Sequence, residues 1–186
     1  VGVSSRADSA GGRFLTALER SGFEGGIHVV ARDVFEIRGH RAHARIGDVP
    51  GPVDLAVIAL RPEACLEAIE ECAEVGISSV LIPTEGFSDS EDGRNLQREL
   101  VARARLHGMR LLGPGTFGFF RTGEDPLHIS LAPKLPRPGP VALAGQSSAL
   151  SAMLLAGVDS RGTGIHEFVG VGNRADVSLN DTLQHW

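Results

Sequence analysis

Residues 52–86, PVDLAVIALRPEACLEAIEECAEVGISSVLIPTEG, read as strand, helix, strand. Residues 53–60 form a near-continuous apolar run, as a strand covered on both faces requires, and residues 79–83 repeat that pattern after a helix-length interval. Pro62 stands where a first helical turn tolerates a missing amide. Cys65, Ile69, Cys72, Ala68 and Ala73 recur at helical spacing, and Glu67, Glu70, Glu71 and Glu74 mark the wet side. Gly76 stops the helix. Two parallel strands joined by a helix imply a right-handed crossover, and in such sheets ligands bind beyond the carboxyl ends of the strands. Those ends are Leu60-Arg61-Pro62 and Thr84-Glu85-Gly86.

Upstream, residues 1–3 look like the end of a strand, so further residues are expected before Val1. The loop Ser4-Ser5-Arg6-Ala7-Asp8-Ser9 and a helix over 10–21, with Phe14, Leu15 and Leu18 inward, follow. A strand, a small polar loop and a helix start hold phosphate through backbone amides and the helix dipole. The dinucleotide fingerprint G-x-G-x-x-G is absent, because Gly2, Gly11 and Gly12 have other spacings, so hydroxyls and Arg6 would do the holding. A second strand over 27–31 ends at Arg32-Asp33, where an acid suits ribose hydroxyls and an arginine suits a ribose phosphate. His40 and His43 have neither helical-pair nor zinc-pair spacing and read as exposed residues on a short extended segment.

Downstream, Ser88, Asp89 and Ser90 offer caps for a helix over 92–107 that buries Leu96, Leu100, Val101 and Ala104. A strand over 109–112 breaks at Gly113-Pro114-Gly115-Thr116, another carboxyl end. The proline-rich stretch APKLPRPGP, 132–140, is a stiff connection and the expected domain boundary. Beyond it come a strand over 141–144, the loop Gly145-Gln146-Ser147-Ser148, a helix over 149–158 with Leu150, Met153 and Leu154 inward, and a strand over 168–171. Ser178 or Asn180 would cap a last helix. The organisation expected is a first domain over 1–131, the linker, and an incomplete second domain over 141–186 with too few strands to bury itself.

A net charge of −5 argues against nucleic acid or an anionic membrane surface as the partner. No apolar run is long enough to span a bilayer and no signal peptide opens the chain, which points to a cytoplasmic protein. Cys65 and Cys72 lie about 10.5 Å apart along one helix, too far for a disulfide, and read as core residues in a reducing compartment.

The runs GPVDLAVIAL, ECAEVGISSVLIPTEGF, HGMRLLGPGTFG, PVALAGQSSALSA and FVGVGNRADVSLNDTLQHW, in order over nearly the whole chain, resemble the NDP-forming acyl-CoA synthetases, relatives of the succinyl-CoA synthetase alpha subunit. The resemblance implies an α/β fold: a Rossmann-like parallel sheet that binds coenzyme A or acyl-CoA, then a truncated flavodoxin-like domain. Matched residue by residue, Gly2 and Ser4 fall on the phosphate loop after the first strand, where Ser5 and Arg6 are expected to join them in holding the coenzyme. Leu60, Arg61 and Pro62, with Thr84, Glu85 and Gly86, line the coenzyme cleft, as do Gly113, Pro114, Gly115 and Thr116. Gln146, Ser147 and Ser148 fall on the loop that holds a phosphoryl group at a helix start. The implied partners are an ATP-grasp domain or subunit and, in protein lysine acetyltransferases built on the same module, a fused acetyltransferase domain; a homo-oligomer is compatible with the pattern.

Departures from the family pattern qualify the reading. Ala31-Arg32-Asp33 replaces N-P-K, leaving Arg32 to meet the coenzyme phosphate; Gly115-Thr116 replaces Asn-Cys; Ser148 replaces a glycine. The family's phosphorylated histidine lies in a segment after residue 186, so this chain alone is expected to be inactive as a synthetase. Three rival readings remain: an NAD(H)-binding redox sensor resting on Asp33, a hydrolase with a nucleophile elbow at Ser147, and a module that only mediates assembly or senses a ligand for an acetyltransferase.

Overall fold

The computed structural model describes residues 1–4, 6 and 8–186, and Asp159 by its backbone alone. Helix α1 spans Ala10–Glu19, and the short strands β1 (Val29–Val30), β2 (Glu36–Ile37) and β3 (His40–His43) follow it. Strand β4 (Ala56–Val57), helix α2 (Pro62–Glu74), strand β5 (Ser79–Leu81), helix α3 (Glu91–Leu106) and strand β6 (Arg110–Leu112) complete the first sheet. The crossover at 52–86 is therefore β4, α2, β5, with Pro62 in the first helical turn and β4 parallel to β5.

Hydrogen bonds of residues 1–3 turn two separate three-stranded groups into one sheet. Gly2 N donates to Val30 O at 3.0 Å, Val1 N to Val57 O at 2.8 Å, and Ala59 N to Val1 O at 3.0 Å. The order is β2, β3, β1, residues 1–3, β4, β5, β6, with only β2 antiparallel to its neighbour. Counting residues 1–3 as the first strand and omitting β2, this is the doubly wound order 3-2-1-4-5-6, whose switch point lies between residues 1–3 and β4.

Burial explains why α2 and α3 lie on one face. Ile58, Val80, Ile82 and Leu111 of the sheet enclose Cys65, Ile69, Cys72, Leu100 and Ala104 in one apolar cluster. Burial also pushes the Cys65 thiol up to about 12 and that of Cys72 up to about 11, so both remain inert core groups. Not every acid on α2 faces water: Glu70 pairs with Arg103 at 2.7 Å and His107 at 2.9 Å, and Glu71 accepts from Ile46 N at 3.1 Å. On the opposite face, Phe14 of α1 packs with Leu81 and Ile129.

Four further strands were only half legible. Strands β7 (Gly118–Arg121) and β8 (Leu127–Ser130) form a hairpin that the sequence reading did not anticipate. It joins β9 (Val141–Gly145) and β10 (Ile165–Gly170) in a sheet of order β8, β7, β10, β9. Pairing of β10 with β7 crosses the proline-rich connection. The expectation that residues after 141 could not bury themselves left this hairpin out: Phe117 and Phe120 pack directly against Ile165 and Phe168.

Helix α4 (Ser148–Ser160) corrects a second expectation. Leu150, Met153 and Leu154 do not point inward; they are 55, 72 and 48 % exposed, and the buried positions are Ser151 and Leu155. A Cβ on Gly145 would lie 2.7 Å from Ser151 Oγ, so the helix approaches β9 closely enough that a small residue must face it. The apolar stripe is turned away as a result. Helix α5 (Leu179–His185) starts at Ser178, whose hydroxyl accepts from Asp181 N at 3.3 Å.

Candidate site at the carboxyl ends of the parallel strands

The candidate site lies at the switch point of the sheet. Gly2 has φ +75°, and a Cβ there would sit 2.6 Å from Ala59 O and 2.7 Å from Leu60 Cδ2, so only glycine lets the first strand turn so close to the end of β4. Gly11 does the same for α1, since its Cβ would lie 2.9 Å from Gly2 O. The first turn of α1 is thereby pressed against Gly2 and Val3. Ser9 caps that helix, accepting from Gly12 N at 3.1 Å and donating to Arg6 O at 2.7 Å. No acidic side chain occupies the first turn, so nothing there neutralises the positive end of the helix dipole.

Ser4 supplies the most telling atom of this loop. Its Oγ has no exposure to solvent and no hydrogen-bond partner among the described residues. A buried hydroxyl without a partner costs about 1–3 kcal/mol, which is why such atoms are rare in folded proteins. Ser5, assigned to the same loop, lies outside the described residues, as does Ala7.

The next walls are joined by hydrogen bonds in sequence. Thr84 Oγ1 donates to Leu60 O at 2.5 Å, and Gly115 N donates to Thr84 O at 2.9 Å. A Cβ on Gly86 would touch Pro62 Cγ at 3.6 Å, and one on Gly115 would lie 4.0 Å from Glu85 Cγ. Leu60, Pro62, Thr84, Glu85, Gly86 and Gly115 are thus brought together. Gly113 and Pro114 are buried behind them, joined by a cis peptide. Thr116 is buried too, its hydroxyl donating to Gly170 O and accepting from Gly118 N at 2.9 Å, so it buttresses the rim and presents no free group.

Three arginines stand at successive strand ends. Arg6 leans on Asp8 at 3.8 Å and Arg32 on Glu67 at 3.4 Å, in exposed pairs that screening keeps weak. Arg61, the residue before α2, is exposed and has no ion pair among the described residues. Asp33, beside Arg32, is exposed with φ +61°.

The loop after β9 lies against the same rim. Ser147 caps α4, accepting from Leu150 N at 3.2 Å, while Gln146 is exposed and Ser148 half-buried at the first helical position. A cavity of about 80 Å³ beside Gln146 and Ser147 is closed by Ser151 and Phe168. Val171 N donates to Gly145 O at 2.8 Å and Asn173 N to Pro114 O at 2.8 Å, so one short segment touches both loops. Sequence reasoning gave that segment, residues 170–177, no part in the site. Its signal was the clustering of Gly172, Asn173 and Asp176 after a buried strand.

A larger cavity lies elsewhere. About 380 Å³ in volume, it is lined by Phe14, Leu18, Phe23, Val53 and Leu55, and lies at the amino ends of the strands. Its walls are mostly apolar, with His28 and Asp54 among them. Among the described residues there is no cluster of histidine, cysteine, aspartate and glutamate able to hold a metal ion, and no helix long and apolar enough to cross a membrane.

Known proteins share this arrangement. Residues 1–121 match the CoA binding domain family, and residues 138–186 match the succinyl-CoA ligase like flavodoxin domain. The alpha subunit of acetate–CoA ligase [ADP-forming] I from Pyrococcus furiosus is 33% identical, over 99% of this chain and 41% of the relative. The 4-hydroxybutyrate–CoA ligase [ADP-forming] of Nitrosopumilus maritimus is 28% identical over 99% of this chain and 26% of its own length. Among solved structures, the dinucleotide forming acetyl-coenzyme A synthetase 1 of Ca. Korarchaeum cryptofilum in its apo form superposes with a TM-score of 0.93 at 33% identity. That superposition covers 99% of this chain and 40% of the synthetase chain, so the present chain spans between about a quarter and two fifths of the length of these relatives. The family match runs from the switch-point glycine through the rim loops to β7, and by it this chain belongs to the CoA binding domain family, joined to a succinyl-CoA ligase-like flavodoxin segment.

Proposed function

We propose that the chain binds coenzyme A or an acyl-CoA across the carboxyl-end rim and serves as the coenzyme-binding part of an NDP-forming acyl-CoA synthetase, with an ATP-grasp domain or subunit supplying the nucleotide site. The observation that carries this reading is the buried Ser4 hydroxyl, without a partner among the described residues, in the loop that leads to α1, whose first turn carries no acidic side chain. A pyrophosphate oxygen would satisfy both at once. Membership of the CoA binding domain family supports the same ligand.

In this reading Gly2, Ser4, Ser5 and Arg6 hold the pyrophosphate and Arg32 faces the 3′-phosphate. Leu60, Arg61 and Pro62 receive the adenine, while Thr84, Glu85, Gly86 and Gly115 enclose the pantetheine arm, with Gly113, Pro114 and Thr116 supporting Gly115 from behind. Bound coenzyme A supplies the thiol that accepts an acyl group. Gln146, Ser147 and Ser148, at the start of α4, receive a phosphoryl group, and the shared segment 170–177 keeps the two loops adjacent. The domain division proposed with it is 1–131, linker 132–140, and 141–186.

Calorimetric titration with coenzyme A, acetyl-CoA, NADH and ADP tests the reading. Coenzyme A is expected to bind and NADH is not. Tighter binding of NADH would establish the redox alternative in which Asp33 meets the ribose, and silence toward every ligand would favour an assembly role.

A further inference from the structure

We propose that Asp176 is a positioning residue that fixes the Gly113–Thr116 wall of the rim and ties it to the loop after β9. This rests on the coenzyme reading above for its functional consequence, but the geometry stands without it.

Residues 173–177 run antiparallel to β6 along its outer edge. Asn173 N donates to Pro114 O at 2.8 Å, Ala175 N to Gly113 O at 3.3 Å, and Val177 N to Leu111 O at 3.1 Å. Those acceptors are the carbonyls leading into the wall loop. Gly172, with φ +56°, crosses so closely that a Cβ would meet Pro114 O at 2.3 Å. Asn173 Nδ2 also donates to Gln97 Oε1 of α3 at 2.8 Å.

One buried carboxylate fastens this edge. The Asp176 side chain is 6 % exposed, and both of its oxygens are used. Oδ2 accepts from Leu111 N at 3.0 Å and from Arg110 Nε at 3.0 Å; Oδ1 accepts from Arg105 Nε at 3.1 Å. Arg110 reaches on through Nη2 to Asp181 Oδ1 at 3.1 Å, which also links the start of α5. Charge-assisted bonds of this kind are about twice as strong as neutral ones, and a buried carboxylate is retained only where such partners surround it. Asp176 thus holds one segment that touches Pro114 on one side and, through Val171, Gly145 on the other. The two loops cannot shift independently while it is in place.

The test uses Asp176→Asn and, as a milder lesion, Arg105→Gln, in the full-length protein. Arg105 is largely exposed and touches only this carboxylate among the described contacts, so the chain is expected to fold without it. Native-state amide hydrogen exchange is followed at Gly115 and Thr116, with Val80 and Leu81 of β5 as internal controls. Asp176→Asn is expected to speed exchange at the wall at least tenfold, and Arg105→Gln about threefold, with the controls unchanged. Coenzyme A affinity should fall in the same order, whereas adenosine 3′,5′-bisphosphate, which lacks the pantetheine arm, binds as before. Unchanged wall exchange in both variants overturns the proposal, as does equal weakening of coenzyme and fragment. A wild-type protein that ignores coenzyme A would sink the proposed function alone, since the exchange experiment still decides whether Asp176 holds the wall.

Discussion

Thr84 Oγ1 lies 2.5 Å from Leu60 O, so the side chain at the end of β5 closes the backbone at the end of β4. Thr84 O in turn accepts from Gly115 N at 2.9 Å. A single residue therefore joins three successive walls of the rim, using its hydroxyl on one side and its carbonyl on the other.

Thr84→Val removes the hydroxyl while keeping the shape. Leu60 O then loses its partner in a half-buried setting, and the expected loss of stability is about 1 kcal/mol. Urea unfolding measures it. A midpoint equal to that of the wild type would mean that the carbonyl is satisfied by water and that the wall does not depend on this bond.

Ser4→Ala separates stability from binding. Because the Ser4 oxygen is buried and without a partner among the described residues, removing it should leave the protein as stable or up to ~1 kcal/mol more stable. Coenzyme A affinity should fall by about ten- to a hundredfold, equivalent to one lost hydrogen bond to a charged acceptor. Loss of stability without loss of affinity would show that the hydroxyl serves the fold and not a ligand.

The crossover at 52–86 was legible because its signals agree: an apolar run, a proline at the helix start, helical spacing of Cys65, Ile69 and Cys72, and a glycine stop. The rim residues followed from it, since strand ends are fixed once the strands are. Less could be read after residue 116. The hairpin β7–β8 is four residues a side around a five-residue turn, too short for alternation to stand out, and its partner β10 lies beyond the proline-rich stretch. The inward face of α4 was misread because Leu150, Met153 and Leu154 give a stronger apolar stripe than Ser151 and Leu155, while tight approach to Gly145 favours the small serine. Asp176 escaped notice for a related reason: its partners Arg105, Arg110 and Leu111 are more than sixty residues away in the chain.

Glu67→Gln probes whether Arg32 meets an anion. The Arg32–Glu67 pair is exposed and 3.4 Å long, contributing at most about 1 kcal/mol, and it competes for the guanidinium. Freed of that carboxylate, Arg32 should bind coenzyme A about twofold more tightly at low salt, with no gain for the dephospho form. Arg32→Ala should weaken coenzyme A far more than dephospho-coenzyme A, and in Arg32→Ala/Glu67→Gln the gain should vanish. Equal losses for the two coenzymes on Arg32→Ala would remove Arg32 from the 3′-phosphate site.

His128 makes stability fall on mild acidification. Its ring is buried, stands edge-on to Phe120 with centroids 5.9 Å apart, and its Nε2 lies 2.9 Å from Ser130 Oγ. Ser130 Oγ accepts from Ala132 N at 3.2 Å, so its own proton is available to a neutral imidazole. Burial pushes the histidine down from 6.5 to about 4. Between those values the unfolded chain takes up a proton that the folded chain refuses, so the unfolded state gains as pH falls. The stabilisation is complete above pH 6.5 and is lost progressively toward pH 4, by up to about 3 kcal/mol. Asp176 and Asp181 are held below the ordinary carboxylate range; for Asp176 burial opposes this, but the Leu111 amide and the two arginines outweigh it, and for Asp181 the Ser178 hydroxyl is the main cause. Their contributions therefore disappear only at more acid pH than the loss that His128 causes. Guanidinium unfolding at pH 7, 5.5 and 4.5 should show a steep decline in the wild type and a flatter one in His128→Gln, whose amide still reaches Ser130. Parallel curves for the two proteins would refute the assignment.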